Sequence, residues 1–335
     1  MRDQSPIESD SVLEVSDLRT RFIMDDYTIF AVNGVSFTLK KGELLGIVGE
    51  SGSGKSVTAK SLLKLIPAPP GEIVSGRALF DGIDLIASPP NVIRTIRGQR
   101  IGFVFQDPMT SLNPVISIGR QITEPMTTHL GISAGEARKR AIDLLDTLGF
   151  PDPKSKLKDY PHQFSGGMRQ RVMIAIALSC NPDILIADEP TTALDVTIQA
   201  QIIDLVGKLR QELDMSIIWI THDLGVVAGI ADRVLVMYGG CVIESAGVNA
   251  LYEEPKHPYT QGLLESLPSL GKSGVDVLPS IKGQTPVMRS EPTSCPFSPR
   301  CIHAFQQCEE ENPQLKPAES AHQVACWLND GKGVI

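Results

Sequence analysis

The sequence is poor in aromatic residues and has no long apolar run. It contains 10 Phe, 5 Tyr and 2 Trp in 335 residues, which argues against a platform that stacks nucleic-acid bases. No apolar stretch approaches the roughly 18 residues that a transmembrane helix needs. The first ten residues lack the apolar core of a signal peptide. We therefore expect a soluble protein in the reducing cytosol.

Basic charge is also scarce. The chain has 31 Lys and Arg against 39 Asp and Glu, a net charge of −8, so neutralising a phosphate backbone is not its main task and no nucleic-acid partner is expected. An apolar fraction of 42% excludes a disordered or fibrous chain. The length predicts two domains or one large domain.

The six cysteines are unevenly distributed. Cys180 and Cys241 lie in apolar contexts and are expected to be small buried side chains. The other four fall close to the C-terminus: Cys295, Cys301, Cys308 and Cys326. Residues 270–294 are rich in Gly, Pro and Ser, which is typical of a linker. We predict a large body over residues 1–268 and a linker with a cysteine-bearing domain over residues 269–335.

Within the body, apolar periodicity predicts an α/β fold. Short β-rich runs occupy residues 12–15, 31–39 and 44–48, and the last leads into a helical stretch, residues 55–65. Further strand runs alternate with helical ones at residues 184–187, 197–213, 216–220 and 234–238. Such alternation indicates a buried parallel sheet. Helical periodicity with little strand signal predicts a helical insertion at about residues 112–182.

Residues 49–56, Gly-Glu-Ser-Gly-Ser-Gly-Lys-Ser, match the phosphate-loop pattern between a strand and a helix. Glycines let the backbone wrap a polyphosphate at a helix N-terminus, whose dipole favours anions. Lys55 would bridge the β- and γ-phosphates, and Ser56 would offer its hydroxyl to Mg²⁺. The apolar run before Asp188 and Glu189 predicts a strand that ends beside this loop. Asp188 would hold Mg²⁺ through water, and Glu189 would orient or deprotonate the attacking water.

A second anion-binding helix end is predicted near residue 165. Ser165 stands at an N-cap position before Gly166 and Gly167, which admit a close backbone approach. One nucleotide needs a single cradle of this kind. The second one therefore indicates a nucleotide held by another subunit.

Together these motifs resemble the ATP-binding subunits of ABC transporters. The likeness spans the body in order and spacing, with Gln106 in the glutamine loop and His222 as the switch histidine. The family motif usually begins Leu-Ser-Gly-Gly-Gln, so Phe164 and Met168 depart from it while its phosphate-contacting centre is intact. The resemblance implies an α/β P-loop ATPase core with an antiparallel β subdomain and a helical insertion.

The resemblance also implies roles for individual residues. The residues implied to act in catalysis are Glu189, His222 and Gln106. Those implied to bind Mg²⁺ are Ser56, Gln106 and Asp188. Tyr27 is expected to stack on adenine, with Phe22 and Phe30 as competitors. The remaining ATP contacts implied are Gly49, Ser51, Gly52, Ser53, Gly54, Lys55, Ser56, Val57, Ser165, Gly166, Gly167 and Asp195.

Longer stretches resemble the ATPases of dipeptide and oligopeptide importers, with nickel importers as close relatives. They are residues 105–114, 160–173, 188–201 and 257–260. This branch implies a second, different ATPase chain, two membrane permease subunits, a peptide-binding protein and a peripheral position on the cytoplasmic face of the membrane. The segment around Gln106 and the helical insertion would dock on the membrane subunits. A soluble non-transport ABC ATPase is the alternative, but this chain has one cassette and no long coiled coil.

The four C-terminal cysteines allow several interpretations. Disulfides are disfavoured in a reducing compartment, and no gap matches the two-to-four-residue spacing usual for zinc. His303 and His322 keep zinc open as an alternative. An iron–sulfur cluster takes four thiolates and tolerates varied spacing. Peptide-importer ATPases carry a similar block, which in dipeptide importers resembles a [4Fe-4S] site, and we expect such a cluster here.

Overall fold

The computed structural model describes residues 10–192, 194–267, 281–319 and 321–330. Its strands are β1 (Ser11–Ile23), β2 (Thr28–Lys40), β3 (Leu44–Val48), β4 (Gly71–Phe80), β5 (Ile83–Asp84), β6 (Ile101–Val104), β7 (Ile184–Asp188), β8 (Ser216–Thr221), β9 (Arg233–Tyr238), β10 (Cys241–Gly247), β11 (Lys316–Glu319) and β12 (His322–Val324). Its helices are α1 (Lys55–Leu62), α2 (Pro90–Ile96), α3 (Pro108–Ser111), α4 (Ile118–His129), α5 (Ala134–Thr147), α6 (Pro153–Lys156), α7 (Gly166–Leu178), α8 (Val196–Leu213), α9 (Leu224–Ile230), α10 (Val248–Glu253), α11 (Pro258–Glu265) and α12 (Gln306–Glu310).

The chain forms two compact units. The first comprises the described residues up to 39, residues 44–87 and those from 221 onward, and the second comprises residues 40–43 and 88–220. The predicted domain boundary at residue 268 and the linker's first half, residues 270–280, lie outside the described residues. That boundary therefore stays a prediction.

The first unit contains an antiparallel sheet and part of the nucleotide-binding core. Strands β2, β1, β4 and β5 lie side by side in that order, with β4 antiparallel to both β1 and β5. Elsewhere in the unit β3 runs parallel to β9, and β10 lies antiparallel to β9. Strand β12 pairs with β10 through Glu244 and Val324, so the C-terminal residues extend a sheet of the body.

The second unit is built on three parallel strands. Strand β7 lies between β6 and β8, with Ile186 opposite Phe103 on one side and Ile218 on the other. Every residue of β7 and β8 is buried, which explains their near-continuous apolar sequence. Helix α7 packs on β6, and helices α4 and α5 pack on α7. The predicted parallel α/β core is confirmed.

Residues 112–182 are all described and contain helices α4 to α7 without a strand. Helix α4 carries a buried stripe at Ile118, Ile122 and Met126, and α5 carries one at Ala137, Ala141 and Leu145. This spacing of three and four residues is the helical periodicity that the sequence shows. Among the described residues, no helix combines the length and apolar character needed to cross a membrane.

Candidate functional site

The phosphate loop connects β3 to α1 in a shape that two glycines make possible. Gly49 has φ 149° and a Cβ there would lie 2.2 Å from the Met237 carbonyl oxygen. Gly54 has φ 100° and a Cβ there would lie 2.4 Å from the carbonyl oxygen of Ala31. Neither position accepts a side chain without moving backbone. The spacing of the glycines therefore fixes the course of the loop.

Lys55 folds back over the loop that precedes it. Its Nζ donates hydrogen bonds to the carbonyl oxygens of Gly49 (2.7 Å) and Glu50 (2.9 Å), and its residue is 4% exposed. Ser51 and Gly52 at the tip are exposed, whereas Ser53 is buried. The loop thus carries a fixed cation at the N-terminal end of α1, where the helix dipole also favours an anion.

The other predicted phosphate-loop contacts, Ser56 and Val57, lie half-buried in the first turn of α1.

Tyr27, the predicted adenine-stacking residue, immediately precedes β2 and its side chain is 41% exposed. The guanidinium of Arg289 lies 5.1 Å from the centroid of the Tyr27 ring. Its competitors Phe22 and Phe30 are half-buried. A ring that stacks on adenine needs an exposed face, which favours Tyr27.

In the second unit, the strand end brings Gln106 and Glu189 together. The Gln106 amide donates to Glu189 Oε2 over 3.1 Å, and Thr192 Oγ1 donates to the same oxygen over 2.9 Å. Glu189 has φ 48°, a left-handed conformation that is uncommon for a residue with a side chain, and its N–H donates to the Ile220 carbonyl. This conformation and these bonds fix the carboxylate.

Asp188 ends β7 and is fully buried, one residue before Glu189. Carboxylate and amide oxygens are the ligands that Mg²⁺ prefers, so Asp188 and Gln106 fit the predicted metal role in chemistry. His222 follows β8 directly and is exposed. The next residue, Asp223, donates its N–H to Thr221 Oγ1 and caps α9, which sets the chain direction after His222.

The Ser-Gly-Gly stretch and Asp195 line one groove in the second unit. Ser165 caps α7 by accepting a hydrogen bond from the Met168 N–H over 3.4 Å, as its position predicts. Asp195 caps α8 by accepting from the Ile198 N–H over 3.0 Å. The groove has a volume of about 520 Å³ and includes Gly166 and Gly167. Two helix N-termini therefore open on the same space, where both dipoles favour an anion.

The two departures from the family motif have different surroundings. Phe164 is buried and meets Phe150 edge-on at 6.0 Å between ring centroids. Met168 lines the groove.

Arg171 has no predicted role from the sequence, but it also lines the groove and donates to the Leu148 carbonyl over 2.6 Å. A lone arginine inside a helical pattern carries no signal for such a position.

The four C-terminal cysteines line one small cavity in the first unit, together with Phe297, Trp327 and His303. Its volume is about 10 Å³, close to that of one water. No group of three or more His, Cys, Asp or Glu side chains within the described ranges is arranged to hold a metal ion. The donor types match a thiolate site, but their positions do not support the predicted [4Fe-4S] cluster or a zinc ion.

Burial changes the pKa of three of the four thiols that line this cavity. Burial raises the pKa of Cys295 to about 11 and that of Cys326 to about 12, and it also raises the pKa of Cys301. His322, a predicted zinc alternative, instead bonds Glu244 over 2.8 Å. None of the six cysteines, all of which are described, forms a disulfide. Among the remaining two, Cys180 is buried as expected but Cys241 is partly exposed.

Comparisons with known proteins identify the family of this chain. A family model described as "ABC transporter" matches residues 32–192, and one described as "Oligopeptide/dipeptide transporter, C-terminal region" matches residues 243–308. The oligopeptide transport ATP-binding protein OppD of Bacillus subtilis is 50% identical over 95% of this chain and 88% of its own length. The chain belongs to the ATP-binding subunits of ABC transporters. The expected family and its ATPase activity are thereby confirmed.

Further relatives lie in the same family of ATP-binding subunits. The dipeptide transport ATP-binding protein DppD of Bacillus subtilis is 49% identical over 96% of both chains. The OppD protein of Salmonella typhimurium is 49% identical over 97% of this chain and 96% of its own. A solved dimer of the ATP-binding cassette MJ0796, bound to ADP and Pi, matches with a TM-score of 0.64 and 30% identity. That match covers 70% of this ABC subunit and 98% of the cassette.

Proposed function

We propose that this ABC ATPase powers the import of dipeptides or oligopeptides. The observation that carries the proposal is the pairing of an ABC core with a C-terminal region of the oligopeptide/dipeptide transporter type over residues 243–308. Near-full-length relatives named for oligopeptide and dipeptide transport support it. An ATPase of a nickel importer is the second candidate, because nickel importers are close relatives of the peptide-importer branch that the motifs resemble.

In this proposal, each of the predicted site residues has a separate role in ATP hydrolysis. The phosphate loop would bind the polyphosphate through its backbone, and Lys55 would shift from its loop carbonyls to the β- and γ-phosphates. Glu189 would orient or deprotonate the attacking water, with Gln106 and Thr192 holding its carboxylate. His222 would sense the γ-phosphate. Ser56, Asp188 and Gln106 would hold Mg²⁺, which would neutralise phosphate charge when bound.

The proposed partners follow from the same branch. A second ATPase chain, different from this one, would present its nucleotide to the groove at Ser165 and Asp195, where both helix N-termini favour an anion. Two permease subunits and a peptide-binding protein would complete the importer, with this chain on the cytoplasmic face of the membrane. Exposed apolar side chains at Phe105, Met109 and Val115 suit a docking surface for the permeases.

We also propose a ligand for the four cysteines, a [4Fe-4S] cluster, with zinc as the alternative. The support is that all four thiols line one cavity, together with the apolar rings of Phe297 and Trp327. Because the side chains do not yet form a ligand set, binding would require them to turn toward a common centre. A brown protein absorbing near 400 nm would favour iron–sulfur, whereas a colourless protein with stoichiometric zinc would rule it out.

The import proposal is tested by reconstitution. The chain is co-expressed with two candidate permease subunits and a peptide-binding protein, and the complex is placed in liposomes with ATP inside or outside. Uptake of a labelled dipeptide, a labelled pentapeptide and nickel is then measured, with Glu189→Gln as the matched inactive control. We expect ATP-dependent uptake of a peptide. Uptake of nickel alone, or ATP hydrolysis by the complete complex without peptide uptake, would overturn the proposal.

A further inference from the structure

Arg300 lies between two of the C-terminal cysteines, yet its side chain reaches the phosphate loop. Its Nη1 donates to Glu50 Oε2 over 2.6 Å and its Nη2 donates to Glu50 Oε1 over 3.1 Å. The Arg300 side chain is 7% exposed and that of Glu50 is 27% exposed. This two-bond geometry with a carboxylate is specific to arginine, because lysine offers a point charge instead of a planar fork.

Glu50 is the second residue of the phosphate loop, and its other groups are also held. Thr285 Oγ1 donates to Glu50 Oε2 over 2.6 Å, and the Glu50 N–H donates to Tyr259 Oη over 2.8 Å. Its carbonyl accepts the Lys55 Nζ bond over 2.9 Å. The position of Glu50 therefore influences where the lysine of the loop rests.

Arg300 is itself held by backbone carbonyls of the segment before the cysteines. Its Nε donates to the Lys282 carbonyl over 2.9 Å, and Nη2 donates to those of Ile281 and Gly283, each over 3.2 Å. The guanidinium also lies 5.7 Å from the centroid of the Tyr238 ring. Its direction is thus set by fixed backbone, which suits a group that positions another residue.

The charge of Glu50 needs this partner. A carboxylate in a loop that binds polyphosphate repels its ligand unless a cation neutralises it. Burial raises the pKa of Glu50, but the hydrogen bonds from Arg300 and Thr285 outweigh it and lower the pKa below its usual value. Both partners are therefore ionised at neutral pH, and the pair is electrically neutral beside the phosphate-binding backbone.

The same C-terminal segment also reaches the predicted adenine side of the site. The Phe30 N–H donates to the Met288 carbonyl over 2.8 Å, and Arg289 lies over the Tyr27 ring. These contacts are independent of the Arg300–Glu50 pair. Residues 288–300 thus touch the first unit's nucleotide-binding residues at two places.

We propose that Arg300 is a positioning residue of the ATPase: it neutralises Glu50 and holds the phosphate loop in its anion-binding shape. Through it, the segment that carries the cysteines contributes to nucleotide affinity. The inference rests on the proposed function only in taking ATP as the nucleotide, since peptide transport does not enter it.

The test compares Arg300→Met, Arg300→Lys, Glu50→Gln and the double variant Arg300→Met with Glu50→Gln in the full transporter complex. Nucleotide affinity is measured with ATP, ADP and adenosine, and kcat and KM are measured for ATP hydrolysis. We expect Arg300→Met to weaken ATP and ADP binding by about 10–100-fold, the usual value for a charged hydrogen-bonded pair, and kcat to fall less than KM rises. Adenosine binding should not change, because it has no phosphate.

The double variant separates positioning from a general structural effect. Since Glu50→Gln removes the unneutralised carboxylate, it should restore most of the affinity that Arg300→Met loses, and Arg300→Lys should fall between wild type and Arg300→Met. Glu291→Gln is the matched control: it breaks an ion pair between the same segment and Arg19, which does not touch the loop.

Two results would overturn the inference. One is an ATP KM within twofold of wild type for Arg300→Met. The other is a double variant no better than Arg300→Met alone. Should Arg300→Met fail to fold, Arg300→Lys and Glu50→Gln keep the test open, because both retain a hydrogen bond at the pair. A wild-type complex that hydrolyses ATP without moving peptide would contradict the import proposal. The effect of the Arg300 variants on ATP affinity could still be measured in that complex.

Discussion

Both the phosphate loop and the C-terminal cysteines belong to the first compact unit, and both gather polar side chains around a small space. In the loop, both charged side chains are held by fixed partners. Lys55 donates hydrogen bonds to two backbone carbonyls, and Glu50 forms an ion pair with Arg300. In the cysteine cavity, by contrast, burial raises the pKa of Cys295 to about 11, so this thiol is neutral at neutral pH. The loop is thus organised for its anion before binding, whereas the thiols must lose protons and turn before they can ligate a metal.

Gly54→Ala gives the largest expected effect on the loop. A left-handed backbone costs a non-glycine residue about 1–3 kcal/mol, and the new Cβ would overlap the Ala31 carbonyl at 2.4 Å. ATP affinity, measured by titration calorimetry, should fall by at least about 100-fold. Gly52→Ala is the matched control, since Gly52 has φ 80° but nothing lies within 4 Å of a Cβ there. Equal losses in the two variants would show that the close approach is unimportant.

Removing one thiol tests whether the cavity is a metal site. If the proposed cluster forms, Cys308→Ser should lose its iron, or zinc, because a four-thiolate site rarely survives with three. Elemental analysis and the visible spectrum of freshly purified full-length protein measure this. Cys180→Ser is the control, because Cys180 is buried and is not among the residues that line the cavity. A wild-type protein with no bound metal would leave the cavity as simple packing.

The pH dependence of thiol labelling sharpens the contrast in charge. In metal-free protein, the raised pKa of Cys295 makes its thiolate about 100-fold scarcer near neutral pH than at the ordinary pKa of 9.0. The rate at which iodoacetamide labels Cys295 should keep rising until about pH 11 in the folded protein. In the urea-unfolded chain the same rate should level off near pH 9. Because the folded pKa is raised, this thiol stabilises the fold below pH 9 and loses that contribution as pH rises toward 11. A plateau near 9 in folded protein would contradict the burial.

Glu291→Gln should have the smallest effect. Its ion pair with Arg19 spans 3.2 Å between side chains that are 53% and 32% exposed, and such surface pairs contribute about 0–1 kcal/mol. Urea unfolding should therefore shift by less than about 1 kcal/mol, with ATP affinity unchanged. A large loss of ATP affinity would mean that the whole C-terminal segment affects nucleotide binding, and the effect could no longer be assigned to Arg300.

Local patterns predicted much of the fold. Strand β3, the start of α1 and helix α7 with its Ser165 cap follow from apolar periodicity and capping rules. Helix α1 ends at Leu62, before the predicted end at Leu65, because Lys64 adopts a left-handed conformation with φ 50°. The pattern of apolar side chains continues past that point and gives no warning of the break.

Contacts between distant single residues could not be predicted in this way. Glu50 and Arg300 are 250 positions apart, and neither belongs to a periodic pattern. The pairing of β10 with β12 likewise depends on tertiary packing. The cysteines predicted a [4Fe-4S] cluster; the structure places all four thiols around one cavity, but the described residues do not form the ligand arrangement that a cluster needs. A motif with a fixed backbone shape, such as the phosphate loop, carries far more positional information than four scattered thiols.

The most direct test of the account is Glu189→Gln. The change keeps the size of the side chain and an amide that can bond Thr192, but removes the proposed base. We expect steady-state ATP hydrolysis by the reconstituted complex to fall by about 10²–10⁴-fold while ATP affinity stays within a few-fold of wild type. Near wild-type hydrolysis would remove Glu189 from its role, and with it the account of how this ATPase works.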